Sequence, residues 1–182
     1  MTLANDAAAY ISEKIATMIK GIGSGDIAAI VERITSAKKV FVYGVGRSGL
    51  VSRAFAMRLV QLGLDAFFIG ETITPIVESG DVVLIVSNTG ATMSAIQTAN
   101  IARRMGAGVI TITVSPTSKL AHASSLVICF PEGRDAETDK YAPLGTLFED
   151  AALVFLDGLV AMVMERLGET EGSMRGRHGI MV

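Results

Sequence analysis

The hydrophobic residues of this chain follow two repeating patterns. Apolar residues recur every three or four positions at about 48–62 and 92–105, with a shorter segment of the same kind near 116–122. This spacing is typical of helices that bury one face. Between these segments lie near-continuous apolar runs, which are typical of parallel strands covered on both faces. The runs span residues 40–43, 66–69, 82–86, 109–113 and 126–130.

The alternation of apolar runs and helical segments predicts a parallel sheet, because a crossover helix returns the chain to the same end of the sheet before each new strand. Two more helices, at 5–20 and 27–34, precede the first run, and a long apolar helix from about 147 to 167 follows a polar loop at 131–143. The predicted fold is a Rossmann-like three-layer α/β/α sandwich on a five-stranded parallel sheet, with N-terminal helices.

The length and charge of the chain narrow its possible classes. Its 182 residues, half of them hydrophobic and 19 % charged, are enough to bury one core without a second domain. We therefore expect a single domain, with a helical segment at 1–37, an α/β core at 38–167 and a C-terminal tail at 168–182. The net charge of −2 and the lack of a basic block argue against a nucleic-acid-binding protein.

The sequence shows neither a secretion signal nor a membrane span. The N-terminus carries Asp6 and Glu13 and lacks a basic region followed by an apolar one. The longest apolar run, at 151–164, is interrupted by Asp157 and is too short to cross a bilayer. The single cysteine, Cys129, lies within an apolar run and is expected to be buried and inert. We expect a cytoplasmic protein.

A glycine-spaced turn, GVGRSG at 44–49, directly follows the first strand and opens a helix. This arrangement points free backbone N–H groups at a phosphate. The turn matches the dinucleotide fingerprint GxGxxG, and Glu71 follows the next strand, so binding of NAD is one interpretation. The short chain, together with Arg47 and Ser48 in the turn, favours a terminal phosphate over a bridging pyrophosphate.

A second turn of similar character, SNTGAT at 87–92, follows the strand at 82–86. Its hydroxyl groups are suitable donors for a phosphate monoester. The alternative is that Ser87 or Thr89 only caps the following helix. Because both turns lie at the carboxyl ends of strands in one sheet, where open α/β sheets bind ligands, the pair favours phosphate binding.

Five stretches in this order and spacing resemble the 6-phospho-3-hexuloisomerases, single-domain members of the sugar isomerase (SIS) superfamily. They are VYGVGRSG at 42–49, FAMRL at 55–59, GETITP at 70–75, VSNTGAT at 86–92 and YAPLGTLFEDAALVFLD at 141–157. The family interconverts D-arabino-hex-3-ulose 6-phosphate and D-fructose 6-phosphate in the ribulose monophosphate route of formaldehyde fixation or its reverse. The resemblance implies a small sugar-phosphate substrate, catalysis without metal or organic cofactor, and a homotetramer or dimer of dimers.

The resemblance also implies roles for individual residues. Around the phosphate it places Ser48, Ser87, Thr89 and Thr92. In the same turn, Asn88 and Thr89 stand where the family usually has Gly and Ser. The family pattern therefore does not define the geometry of this loop. The sugar is expected beside Gly46, Arg47 and Thr72.

For catalysis, the resemblance implies that Glu149 is the base that moves a proton between C2 and C3. The residues themselves offer another interpretation, because Thr146 and Glu149 form a T-x-x-E capping box at the start of an apolar helix. Asp150 is interpreted as a surface charge that complements the helix dipole. His178 is implied to complete the site of a neighbouring subunit as an acid/base, and a polar tail without function is the alternative.

Three other functions stay open at this point. The chain could be another isomerase of the same fold, acting on arabinose 5-phosphate or a heptulose 7-phosphate. It could be a non-catalytic sugar-phosphate sensor, or a small NAD-binding module. The order and spacing of the motifs favour the hexuloisomerase.

Overall fold

The computed structural model describes residues 2–179 and contains one five-stranded sheet in the order β2-β1-β3-β4-β5. All four strand pairings are parallel, which confirms the prediction. The chain adds β2 on one side of β1 and then β3 on the other, so the strand order reverses between β1 and β3. The strands are β1 Val40–Gly44, β2 Ala66–Phe68, β3 Val82–Val86, β4 Gly108–Thr113 and β5 Leu126–Cys129.

Eight helices lie within the described residues, and they cover both faces of the sheet. They are α1 Leu3–Lys20, α2 Ser24–Ser36, α3 Arg47–Gln61, α4 Met93–Arg104, α5 Lys119–His122, α6 Thr138–Tyr141, α7 Thr146–Leu167 and α8 Glu171–Gly176. On one face, α7 packs against α1, α2 and α3. On the other face, α4 and α5 pack together. The predicted three-layer sandwich is confirmed.

Two hydrophobic cores fill the spaces between the layers. Successive side chains of a strand point to opposite faces of the sheet. Accordingly, Val40 and Val42 of β1 join the core beneath α7, whereas Phe41 joins the core beneath α4. In β3, at the centre of the sheet, all five residues are buried, as expected for a parallel strand covered on both faces.

The polar loop predicted at 131–143 contains the short helix α6. Side-chain contacts join this loop to α1. The Tyr10 hydroxyl donates to Asp135 and also lies 2.7 Å from the hydroxyl of Thr138. The Lys14 ammonium pairs with the other Asp135 oxygen at 2.5 Å. The hydrogen bonds from Lys14 and Tyr10 lower the pKa of Asp135 well below its usual range. These contacts join residues more than 100 positions apart, which is why the local pattern indicated only a loop.

The C-terminal segment predicted as a tail begins with α8, a helix of six residues. Thr170 and Ser173 form a capping box at its start. Arg177 then pairs with Glu169 and donates to the backbone carbonyl of Gln61, at the end of α3, at 3.2 Å. The segment up to His178 is thus folded against the α/β core.

Two smaller features complete the fold. Cys129 is half-buried rather than buried as predicted, and partial burial raises the pKa of its thiol. Among the residues that the structure describes, no helix is both long and apolar enough to cross a bilayer.

Candidate active site

The two predicted turns meet at the point where the strand order reverses. The last residue of β1, Gly44, is paired with Val86, the last residue of β3. Ligands of open α/β sheets bind in the crevice outside the strand ends at such a reversal. A cavity of about 110 Å³ lies here; we call it the serine–threonine pocket. Its lining is Val45, Ser48, Val86, Ser87, Asn88, Thr89, Thr92 and Ala95.

The first turn has its shape because of three glycines. Gly44 and Gly49 let the backbone approach itself closely, and Gly46 adopts a positive φ. A Cβ added to Gly49 would lie 2.6 Å from the Gly44 carbonyl oxygen, closer than real Cβ atoms come to a neighbour. Gly46 precedes α3 with a φ of 61°, a conformation that favours glycine. The buried Ser52 hydroxyl donates to the carbonyl of Ser48 at 2.9 Å. This turn places Ser48 in the wall of the serine–threonine pocket.

The second turn is fixed to the neighbouring strand. The Asn88 carbonyl accepts hydrogen bonds from the Val114 N–H at 3.1 Å and the Thr113 hydroxyl at 2.8 Å. Gly90 has a φ of 61°, and a Cβ there would lie 2.1 Å from the Ser118 hydroxyl oxygen. Asn88 does not have a positive φ, so the backbone conformation of the turn does not require glycine at this position.

The hydroxyl groups of the second turn are not used to cap α4. The N-cap position of that helix is Thr92, and in residues 2–179 no side chain makes the capping hydrogen bond. Thr89 instead accepts a hydrogen bond from the Ala91 N–H at 3.3 Å. The interpretation that Ser87 or Thr89 only caps the helix is therefore wrong.

The electrostatics of the pocket favour an anion. Both α3 and α4 begin at it, and the positive ends of helix dipoles attract negative charge. The first turns of these helices contain only uncharged and basic residues. Within the described chain, α3 also lacks a side-chain cap, so its first N–H groups remain available to a ligand.

Glu149 is held beside Arg47 at the start of α7. The helix begins at Thr146 after Gly145, and the Thr146 hydroxyl donates to the Pro143 carbonyl at 2.7 Å. The Glu149 carboxylate lies 2.8 Å from Nε of Arg47. The predicted T-x-x-E capping box is thus wrong, because Gly145 takes the N-cap position and the carboxylate turns to a cation on another helix.

The surroundings of Glu149 suit a group that exchanges protons. Its side chain is 15 % exposed, and a Cβ on Gly145 would come within 3.0 Å of the carboxylate. Burial raises the pKa of Glu149, Arg47 opposes that effect, and Asp150 adds to it. A carboxyl group with a raised pKa is closer to the working range of a general base.

Asp150 is not the isolated surface charge that its position in the first turn of α7 indicated. Its carboxylate lies 2.9 Å from Nη2 of Arg47. The Arg47 guanidinium therefore joins two consecutive carboxylates of α7 to the first turn of α3. Sequence reasoning missed this contact, although an arginine in one turn and the pair Glu149-Asp150 in another were visible signals.

A second cavity of about 300 Å³ adjoins the first and shares Asn88 and Thr89 with it; we call it the loop pocket. It extends to Gly145, where α7 begins. Sequence reasoning also missed its polar wall. Beyond Asn88 and Thr89, the polar side chains that line the loop pocket are Ser115, Glu132 and Arg134.

The remaining two predicted site residues lie elsewhere in the chain. Thr72 is exposed in the segment after β2, which is held by a hydrogen bond from the Thr74 hydroxyl to the Phe68 carbonyl at 2.9 Å. His178 is exposed after α8, and its N–H donates to the Arg175 carbonyl at 3.2 Å. Within the described chain, neither these two residues nor Gly46, Arg47 and Glu149 line the two pockets. Glu149 lies next to the loop pocket, because its carboxylate is close to Gly145 in the pocket wall. Across residues 2–179, no three His, Cys, Asp or Glu side chains are grouped to hold a metal ion.

A parallel sheet with a pocket at the reversal of its strand order places the chain among the open α/β domains, which bind ligands at that point. The chain belongs to the SIS domain family, whose model matches residues 33–157. It is 39 % identical to a 3-hexulose-6-phosphate isomerase of Methanocaldococcus jannaschii, over 82 % of this chain and 81 % of that protein. It is 34 % identical to the 3-hexulose-6-phosphate isomerase of Bacillus subtilis, over 96 % and 90 %.

A solved structure supports the same family assignment. A crystal structure from Methanococcus jannaschii, described as implying a 3-hexulose-6-phosphate isomerase, superposes with a TM-score of 0.87 at 34 % identity. The superposition covers 97 % of this chain and 99 % of that one. The resemblance inferred from the sequence motifs is confirmed.

Proposed function

We propose that this protein is a 6-phospho-3-hexuloisomerase, which interconverts D-arabino-hex-3-ulose 6-phosphate and D-fructose 6-phosphate in the ribulose monophosphate pathway. The observation that carries the proposal is one constellation of groups. A small pocket lined by hydroxyl groups lies at the reversal of the strand order. Arg47, next to Ser48 of that pocket, is paired with the largely buried Glu149. The similarity to two 3-hexulose-6-phosphate isomerases, over 82 % and 96 % of this chain, supports it.

The serine–threonine pocket holds the phosphate group in this proposal. Its volume of about 110 Å³ suits a phosphate rather than a whole nucleotide. The hydroxyl groups of Ser48, Ser87, Thr89 and Thr92 donate to phosphate oxygens, and the N-termini of α3 and α4 contribute backbone N–H groups. A bridging pyrophosphate with two nucleosides would exceed this space, so the dinucleotide interpretation is disfavoured.

The open sugar chain extends from the phosphate into the loop pocket. The two pockets share Asn88 and Thr89 in their walls, and the proposal places one ligand across both. The loop pocket ends at Gly145, against which the Glu149 carboxylate packs. Glu132 and Arg134 in its wall offer partners for the hydroxyl groups of the sugar.

The reaction proceeds by proton transfer. Glu149 takes the C2 proton of the hexulose phosphate, the electrons of the C–H bond form a C2=C3 double bond, and the C3 carbonyl oxygen becomes an enediolate. Glu149 returns the proton to C3, while a proton passes from the C2 oxygen to the C3 oxygen. Arg47 lies beside Glu149 and provides the positive charge that stabilises the enediolate.

His178 acts in this reaction only from a second copy of the chain. Its neighbour Arg177 is bound to the last residue of α3, whereas Arg47 is the first residue of that helix. The helix is 15 residues long, so its two end residues are about 21 Å apart. We therefore propose a homo-oligomer in which His178 reaches the site of a neighbour. The exposed apolar side chains of Leu50, Met57 and Val60 on α3 provide a surface for that contact.

Turnover of the proposed substrate tests the function. Purified protein is given D-arabino-hex-3-ulose 6-phosphate without added cofactor, and fructose 6-phosphate is measured by a coupled enzyme assay. We expect fructose 6-phosphate to form, and arabinose 5-phosphate in a parallel reaction to remain unchanged. Turnover of arabinose 5-phosphate instead would indicate the related aldose–ketose isomerase. Binding of fructose 6-phosphate without any turnover would indicate a sensor.

A further inference from the structure

The Arg47 guanidinium lies between the carboxylates of two consecutive residues of α7. Its Nε is 2.8 Å from Glu149, and its Nη2 is 2.9 Å from Asp150. Consecutive side chains of a helix point in different directions, so one small cation would not readily meet both. The planar guanidinium does so because its N–H groups point to separate sides.

The three side chains differ in their access to water. Glu149 is 15 % exposed, Asp150 32 % and Arg47 56 %. The glutamate therefore lies innermost, with the arginine on its outer side and the aspartate bound to the far end of the guanidinium. Without Asp150, a flexible and half-exposed arginine would have Glu149 as its carboxylate partner and nothing else to fix its orientation.

The proposed reaction changes the charge of Glu149 and not that of Asp150. When Glu149 takes the C2 proton it becomes neutral, and the electron pair of the broken C–H bond ends as negative charge on the C3 oxygen. At that moment the Arg47–Glu149 ion pair no longer exists. A guanidinium that has lost its carboxylate partner is better solvated if it turns towards water. Stabilisation of the enediolate requires instead that Arg47 stay beside the reacting carbons.

We propose that Asp150 is a positioning residue, which keeps the Arg47 guanidinium at the site while Glu149 is protonated. Asp150 takes no proton from the substrate in this scheme and keeps the hydrogen bond that Nη2 of Arg47 donates to it. Arg47 then remains beside the reacting carbons and transfers its electrostatic contact from the Glu149 carboxylate to the enediolate. This role rests on the proposed function, because it requires Glu149 to exchange a proton with the substrate.

The same arrangement predicts a change in pH dependence. In the described chain, the charged groups that act on Glu149 are Arg47 of α3 and Asp150 of α7. The negative charge of Asp150 makes ionisation of Glu149 harder and raises its pKa. Asparagine at position 150 removes that effect and leaves only burial, which raises the pKa of Glu149, and Arg47, which lowers it, so the pKa falls relative to the wild type. The acidic limb of the kcat/KM profile then moves to lower pH.

Asp150→Asn and Asp150→Glu test the inference, with Asp157→Asn as the matched control. Asp157 is an exposed acid on the same helix. We expect Asp150→Asn to lower kcat on the order of 10- to 100-fold through misplacement of Arg47, with KM changed less than about threefold. Asp150→Glu keeps the carboxylate and recovers most of the activity. The control matches the wild type.

Two results would overturn the positioning role while leaving the proposed function intact. One is an active wild type in which Asp150→Asn matches the Asp157→Asn control in kcat and in pH profile. The other is loss of activity in both Asp150 variants together with a lower Tm, which would indicate a structural role. A folded wild type without any turnover of the hexulose phosphate would overturn the proposed function, and the positioning role with it.

Discussion

At the scale of single residues, the environment of Glu149 is the most informative feature of this protein. The side chain is largely buried, yet it is paired with Arg47 and does not cap its own helix. A buried carboxylate with one cationic partner can accept a proton at moderate cost, because burial already disfavours its charge. Its position therefore fits a chemical role better than a structural one.

Replacement of this residue separates the two roles. Glu149→Gln should lower kcat by a factor of about 10² to 10⁴, since an amide cannot take the proton. Its Tm should change by less than about 3 °C, because a partly exposed ion pair contributes little and Arg47 keeps Asp150. Steady-state kinetics and thermal unfolding measure the two effects, and Glu165→Gln on the exposed part of α7 is the control. Turnover near that of the wild type would remove Glu149 from the mechanism.

The pH dependence of the wild type follows from the raised pKa of Glu149. A base acts in its deprotonated form, so kcat/KM should rise with pH through a pKa above the ordinary value for glutamate of about 4.3. The free energy of unfolding changes in the opposite direction with pH. Because the folded state favours the protonated form, the contribution of this group to stability falls as pH rises through that pKa. An acidic limb at or below the ordinary value would contradict the assignment.

At the scale of elements, the two turns after β1 and β3 form the serine–threonine pocket. Each requires glycine where the backbone passes close to another group or adopts a positive φ. The second turn is joined to β4 through Asn88 and lies against Ser118 at Gly90. The backbone that carries its hydroxyl groups is therefore fixed before any ligand arrives, which reduces the entropy lost on binding.

Gly90→Ala tests this requirement. The added methyl group would meet Ser118 at a φ of 61°, so we expect a loss of about 2 kcal/mol or more of unfolding free energy, together with a raised KM. Gly158→Ala is the matched control, because this helical glycine has open space around its Cβ position. There the substitution should stabilise the protein by about 0.5 to 1 kcal/mol. Equal effects of the two substitutions on Tm would contradict the geometry of the turn.

Local patterns predicted the elements whose burial is visible in their own sequence. The apolar runs gave all five strands within a few residues, because a strand covered on both faces needs apolar side chains throughout. The helix α6 was missed because it depends on Tyr10, far away in the chain. The capping box at Thr146 was wrong for a similar reason, since the Glu149 carboxylate finds a partner on another helix.

At the scale of the whole molecule, the order of the strands explains why one pocket contains residues from two distant turns. Ser48 and Ser87 are 39 positions apart, and the reversal between β1 and β3 brings them to the same pocket. The sequence allowed this convergence to be predicted from the parallel sheet. The Arg47–Asp150 contact was missed although its residues were visible, because the sequence does not show how α7 docks against α3. The loop pocket was missed because its wall combines residues that are distant in the sequence.

The most direct test of the central claim is the position at which the protein exchanges a proton. Fructose 6-phosphate is incubated with purified protein in D₂O without added cofactor and followed by proton NMR. The proposed C2–C3 enediolate predicts loss of the C3 proton signal and the appearance of a hex-3-ulose phosphate. Exchange at C1 instead, or no exchange by folded protein that binds the sugar phosphate, would contradict it.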